Sequence, residues 1–388
     1  MIKGLIILFS FSTFLFAIDF NLFLQRAIVK SPYLNASALR IKQASLEGSR
    51  FTRYENPKLE IEGSQFKPDT TSSDKGYRTA LTQPVRLWGV GEDIEKLAGA
   101  GINSAKADYS LTRANFVRDL SLEYLLYKKN SLMLDLSNLE EQIAKEIYDI
   151  SLSRFKGGAI SRGRMLQSKV SFQMVHSANE SLKLEGMHLY YNLLKSAGIT
   201  EEIDLDNSYK FLSSSQVDSS NPKIKLAKAN VDKSLASAEL FDNKIEWLNI
   251  FAEFENEPDQ DVTRFGINFP LAIFNTRSQE KAIAKLEAKK FEYLKNLYEK
   301  ELSLEEKRLK KEAVGLKKIL FDNEEILKTD LELLEMFKKS YKIANVNLLE
   351  LLDIQSKVIE TKERLIDITI KLDVNAIMQN YYSGEYNE

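Results

Sequence analysis

The chain has 388 residues, 54 Lys and Arg against 56 Asp and Glu, a formal charge of −2 and no cysteine. Cations and anions are interspersed rather than blocked, which removes the electrostatic footprint of a nucleic-acid binder. The missing thiols exclude a disulfide framework, thiol chemistry and a thioether-linked lipid.

Residues 1–17 read as a signal peptide: Lys3, an apolar run Gly4–Phe16 too short to span a bilayer, and Ala17 at a cleavage position. Residues 19–55 read as helix, with Leu22, Ala27, Leu34, Ala38, Ile41 and Leu46 at roughly helical spacing, ended by Asn56-Pro57. Residues 58–66 alternate, with Leu59, Ile61 and Gly63 opposite Lys58, Glu60 and Glu62. Lys67–Gly76 is turn material, and 77–87 alternate again, giving a hairpin with a long tip. A helix of about 65 residues is expected from Glu92 to Phe155, reaching about 95–100 Å. Gly157-Gly158 interrupts it, and a second helix returns over 164–197. Ser208–Asn221 reads as a Ser- and Asp-rich linker.

The order then repeats: a helix over 222–244, strands over 245–255 and 262–271 around a turn at Asn256–Asp261, a helix from Arg277 to Tyr341, an interruption at Ala344-Asn345 and a helix over 348–380. All seven prolines fall at 32–84 and 222–270, so the long stretches between and after them are free to be helical. Short matches keep this register. Ser31-Pro32-Tyr33-Leu34 answers Asn221-Pro222-Lys223-Ile224, and Thr82–Val85 answers Asn268–Leu271. Arg154-Phe155-Lys156 answers Ser340-Tyr341-Lys342, and Gln167-Ser168-Lys169-Val170 recurs as Gln355-Ser356-Lys357-Val358. The expected organisation is a signal peptide (1–17), a first structural repeat (18–207), a linker (208–221) and a second repeat (222–388).

Four strands cannot close a barrel, and lipid does not tolerate an open sheet edge. If these hairpins meet lipid, the barrel must be shared among copies. The bland reading is an ordinary α+β domain, against which stand two helices far longer than usual and the repeated hairpin–helix unit. No phosphate loop or nucleophile elbow is present, so an enzyme is not expected. Only His176 and His188 are available, at poor ligand spacing, so neither a metal site nor a cofactor is expected. Trp88 and Trp247 stand at strand ends, either as interfacial aromatics or as core anchors.

Several segments, in order and twice over, are similar to the TolC family of outer-membrane efflux proteins, especially the RND-associated branch working with heavy-metal and multidrug pumps. They are Ala27–Leu34, Gln83–Gly89, Phe269–Asn275 and Arg154–Ser161 followed by Met165-Leu166. The resemblance covers essentially the whole chain after residue 17. It implies a mainly α fold with a small β part: duplicated long helical hairpins forming an α-barrel tunnel, plus four strands per chain contributed to a transmembrane β-barrel shared in a homotrimer. It further implies an outer-membrane exit duct with the tunnel in the periplasm, served by a periplasmic adaptor and an inner-membrane pump. A type I secretion duct of the same fold is the near neighbour. A soluble periplasmic coiled-coil adaptor or a structural protein is the rival from another class.

The same resemblance makes the two interruptions a periplasmic tip. Gly157, Gly158, Ser161 and Arg162, with Asn345, Val346, Asn347 and Leu348, become candidate adaptor-docking residues. Ala344 stands where the family usually has glycine. Glu350 and Asp353 share a helix face and align with the acidic gate ring of the family. Arg162 and Arg164 are their candidate partners, Arg164 standing where the family often has an acid. The alternative for all of these is turn residues and a solvated charged face.

Overall fold

A computed structural model describes residues 18–67, 74–213, 221–343 and 346–387. The expected signal peptide, most of the first hairpin tip, residues 214–220 of the linker, Ala344 and Asn345 lie outside the described residues.

The elements run α1 (Phe20–Lys30), α2 (Pro32–Thr52), β1 (Lys58–Phe66), β2 (Asp74–Arg86), α3 (Val90–Lys156) and α4 (Arg162–Ala197). They continue with α5 (Pro222–Leu240), β3 (Trp247–Glu257), β4 (Gln260–Asn268), α6 (Ser278–Lys342) and α7 (Leu348–Ser383). The matching Ser31-Pro32 and Asn221-Pro222 have one physical meaning. Each is a helix start: Ser31 Oγ accepts from Leu34 N, Asn221 Oδ1 accepts from Lys223 N, and each proline sits in the first turn. There its missing N–H costs nothing. The same proline corrects the single helix expected over 19–55. Ser31 takes extended angles ahead of Pro32 and divides the stretch into α1 and α2.

Two further boundaries differ from the sequence reading. The turn expected over Asn256–Asp261 is only Pro258-Asp259, because Asn256 pairs with Asp261 and Glu257 with Gln260. At its other end β4 stops at Asn268, so Phe269, Pro270 and Leu271 lie beyond the strand.

The four strands form one antiparallel sheet in the order β1-β2-β3-β4, the hairpins meeting where β2 pairs with β3. Both outer strands, β1 and β4, therefore keep a free edge within the chain. The helices form a layer one helix deep. Near the sheet α3 packs on α2 and α5, and α5 on α6; farther out α3 lies between α4 and α7, and α7 beside α6. With 67 residues α3 extends about 100 Å.

A core at mid-length holds these helices together. Phe20 and Phe23 of α1, Tyr124 of α3, Leu193 of α4 and Ile377 of α7 form one buried cluster with Phe211, whose ring meets those of Phe20 and Tyr124. Phe211 belongs to the stretch read as a linker, which is thus no solvated tether at this point. Lys128 Nζ donates to Tyr209 O and to Asp373 Oδ2, both at 2.7 Å, while Asp373 Oδ1 accepts from Phe211 N at 3.2 Å. The Lys128–Asp373 pair is buried on both sides, where removing one partner would leave an uncompensated charge.

Candidate functional site

Two ends of the molecule carry unusual chemistry. At the far end of the helices, α3 turns into α4 through Gly157 and Gly158. The glycine that needs its freedom is Gly158, at φ +73°, whereas Gly157 has an ordinary φ of −81°. Ser161 then caps α4, its Oγ accepting from Arg164 N at 3.4 Å. The matching start of α7 is capped by Asn347, whose Oδ1 accepts from Glu350 N at 3.1 Å while its Nδ2 donates to Glu350 Oε1 at 2.8 Å.

These caps occupy groups that the sequence assigned to a gate. Glu350 is bonded to its own cap, and Asp353 accepts from Lys357 one turn on, at 2.8 Å. Among the described residues neither Arg162 nor Arg164 forms an ion pair, so the chain does not bring the arginines to the carboxylates. Gly157, Gly158, Ser161, Arg162 and Asn347 are exposed and Val346 is half-buried. Leu348 is the exception: it is buried with Ile143, Ile147, Leu334, Tyr341 and Leu351. Its side chain faces the tip core, which corrects its assignment as a surface docking residue.

The sequence reading missed what ties the two helical hairpins together at this end. The hydroxyls of Ser151 in α3 and Tyr341 in α6 lie 3.0 Å apart. Arg154 Nη1 donates to Tyr341 O at 3.1 Å, and its guanidinium stands 4.6 Å over the Tyr341 ring. Glu146 adds ion pairs to Lys338 at 3.1 Å and Lys342 at 3.8 Å. A cation and an aromatic in the last turns of two equivalent helices were the available signal, but nothing local says that they meet.

At the other end the sheet has two unlike faces. One presents Leu59 and Ile61 of β1, Leu81 of β2, Ile250 and Phe254 of β3, and Phe265 and Ile267 of β4, all exposed. The register aligns them, Leu59 opposite Leu81, Leu81 opposite Ala252, and Ala252 opposite Phe265. The reverse face is charged. Arg78 reaches Glu253 at 2.5 Å and Glu62 at 3.2 Å, and Arg264 bonds Glu253 and, at 2.6 Å, Glu255. Glu253 is buried beneath its two arginines. Such charge-assisted bonds tie all four strands side by side on the polar face.

Arg86 anchors the sheet to the helices. It donates to the carbonyls of Phe51, Thr52 and Arg53 at the end of α2 and lies 4.5 Å over the Trp247 ring. Trp247 is thus an anchor, whereas Trp88 is 96 % exposed. Among the described residues no helix is long and apolar enough to cross a membrane, and no group of three or more His, Cys, Asp or Glu could hold a metal ion.

No protein-family model and no curated protein matches the sequence. Solved structures do match over nearly the whole chain. The outer-membrane channel OprN superposes with a TM-score of 0.80 at 13 % identity, covering 95 % of this chain and 90 % of its own. The outer membrane protein VceC of Vibrio cholerae gives 0.77 at 14 %, over 93 % and 95 %. The Campylobacter jejuni CmeC outer membrane channel gives 0.75 at 14 %, over 94 % and 85 %. Long paired helices carrying a four-stranded sheet at one end are what these proteins share with it, and the chain has the fold of the TolC-like outer-membrane channels.

Proposed function

We propose that the chain is one protomer of an outer-membrane channel, an exit duct through which small molecules or metal ions delivered by an inner-membrane pump leave passively. The observation that carries this reading is that a single chain is unfinished at every lateral boundary. β1 and β4 end the sheet with open edges, and the apolar sheet face is exposed. α4 and α6 border the helix layer with apolar side chains such as Met174 and Phe321 turned outward. Lipid tolerates a sheet only when its edges are closed. Four strands are too few, so copies must join edge to edge. Three copies, as the resemblance implies, give a barrel of twelve strands continued by a helical tunnel.

In that assembly the apolar sheet face meets lipid and the charged face lines the lumen. The helices point into the periplasm, and residues 1–17 are the leader that brings the chain there. The two halves, 18–207 and 222–388, act as repeats of one module. Gly157, Gly158, Ser161 and Arg162, with Asn345, Val346 and Asn347, form the tip to which a periplasmic adaptor docks. Glu350 and Asp353 from each copy ring the narrowed end, an arrangement that attracts cations. Arg162 and Arg164, without an ion pair among the described residues, face that ring from neighbouring elements and hold it closed, together with the Arg154–Tyr341 tie.

A type I secretion duct would use the same parts. A soluble adaptor is disfavoured by the exposed apolar sheet. The test is to fractionate cells and compare unheated with heated membrane extract on a gel. An outer-membrane band near three chain masses that collapses on heating is expected. A soluble periplasmic monomer would sink the reading.

A further inference from the structure

The apolar side of the sheet is too short for the layer that it is proposed to cross. On β3 the outward apolar positions run from Leu248 to Phe254, and beyond them Asn256 is polar. Six residue steps span about 20 Å along the strand. At the usual strand tilt that is about 15 Å of height, against an apolar band of about 25 Å in outer-membrane barrels. Among the described residues the far rim adds only Tyr77 to the outward face, whereas the rim nearest the helices carries a longer run of further apolar surface.

Beyond β4 the chain continues as Phe269-Pro270-Leu271-Ala272-Ile273-Phe274 before the polar Asn275-Thr276-Arg277. This segment pairs with no strand; its Ile273 N–H donates back to Leu271 O at 2.9 Å. Phe274 is 99 % exposed, and Phe269, Leu271 and Ile273 are all more than half exposed. Trp88 follows β2 at the same rim, since Arg86 pairs with Trp247 where β3 begins and Asn268 pairs with Asn249 close by. Such a run of exposed apolar side chains marks an interaction surface.

We propose that Phe269–Phe274, together with Trp88, is a membrane-interface anchor. Its side chains dip among lipid acyl chains at the periplasmic rim of the barrel and complete the lipid-facing band. Its backbone argues for the boundary rather than the hydrocarbon interior. Amides without strand partners need water or headgroup oxygens, which the interior lacks. Aromatic side chains suit that boundary because it offers an apolar and a wet side together. Lipid is favoured over a second copy of the chain because the segment continues the apolar face of the sheet, where lipid is the proposed neighbour. The proposal rests on the outer-membrane reading, and the experiment separates the two.

The sequence has no cysteine, so single thiols can be placed cleanly in the full chain. Phe265→Cys reports the outward sheet face, Phe274→Cys the segment and Ser303→Cys the helical region. Each variant is labelled with bimane and reconstituted into phosphatidylethanolamine–phosphatidylglycerol vesicles. The lipids are plain or brominated, near the headgroup or near the chain middle, and iodide serves as the aqueous quencher. Loss of emission at 265 and 274 with brominated lipid, strongest at 274 for bromine near the headgroup, and none at 303, is the expected result. Quenching by lipid at 265 but only by iodide at 274 overturns the anchor and leaves the channel standing. Quenching by lipid at 265 and by neither agent at 274 means that another copy covers the segment, which also overturns it. No lipid quenching at 265 overturns the membrane reading and the anchor with it.

Discussion

The tetrad Gln-Ser-Lys-Val occurs in α4 as Gln167–Val170 and in α7 as Gln355–Val358, on helices of 36 residues each. Identical residues meet opposite fates. Val358 is fully buried while Val170 is 53 % exposed, and Gln355 is buried while Gln167 is exposed. The difference lies in the neighbours: α7 lies against both α3 and α6, whereas α4 borders the layer with α3 alone along its length. A stripe of Leu166, Val170, Met174, Leu184, Met187 and Tyr191 on α4 is left without a helix to cover it. The comparison teaches that local sequence sets the helix, but position in the layer sets whether its apolar face is finished inside the chain or waits for another.

The sharpest way to break that comparison is to put the same charge at both valines. Val358→Asp buries an unpaired carboxylate in the tip core and should cost more than about 3 kcal/mol in urea unfolding. Val170→Asp should leave unfolding of the single chain within about 0.5 kcal/mol while abolishing the heat-labile oligomer band. Equal losses of stability at the two sites would end the argument that α4 is an outer edge.

Leu348→Ala extends the test to the start of α7. Truncation of this buried side chain should cost about 2–4 kcal/mol. A value near zero would return Leu348 to the surface role that the sequence assigned it. Tyr341→Phe removes the hydroxyl that meets Ser151 and should cost about 1 kcal/mol. If the Arg154–Tyr341 tie holds the duct closed, single-channel conductance rises in Arg154→Ala, which takes the guanidinium away from the Tyr341 carbonyl and ring. Arg164→Glu should leave unfolding unchanged, because Arg164 is exposed and has no ion pair among the described residues, but should alter conductance. An unaltered pore would remove Arg164 from the gate.

The smallest effect probes α3 against α7 through pH. Burial, and then the nearby Glu363 carboxylate, hold Glu140 above the usual carboxylate range. The folded chain therefore keeps this proton at a pH where the unfolded chain has released it. The resulting stabilisation is full below the unfolded pKa and is lost as pH rises through the folded one. In parallel urea titrations, stability of the parent chain should fall relative to Glu140→Gln as pH rises from the ordinary carboxylate value. Parallel curves would mean that Glu140 is solvated.

Much of the fold was legible because its signals are local. Asn221-Pro222 starts α5 where the sequence reading begins a helix, whereas the same local signal at Ser31-Pro32 lies inside the single helix expected over 19–55. The proline-free spans became α3 and α6, and the alternation around Leu59, Leu81, Ile250 and Phe265 placed these side chains on one face of the sheet. The polar alternation even contained Arg78, Glu253 and Arg264, although only the register shows that they meet. The acids proposed for the gate were legible as a shared helix face, but their partners within the chain are Asn347 and Lys357 rather than the arginines.

By itself, the sequence determined where helices start, where strands alternate and where Gly158 must turn, since backbone preference acts within a turn or two of each residue. Only the tertiary structure decided which faces are closed. Arg154 and Tyr341 meet across 187 residues, Phe211 is pinned between helices by Asp373, and Val170 stays open while Val358 is sealed. Burial is a property of the neighbours that packing brings to a side chain, and four identical residues on two helices cannot carry that information.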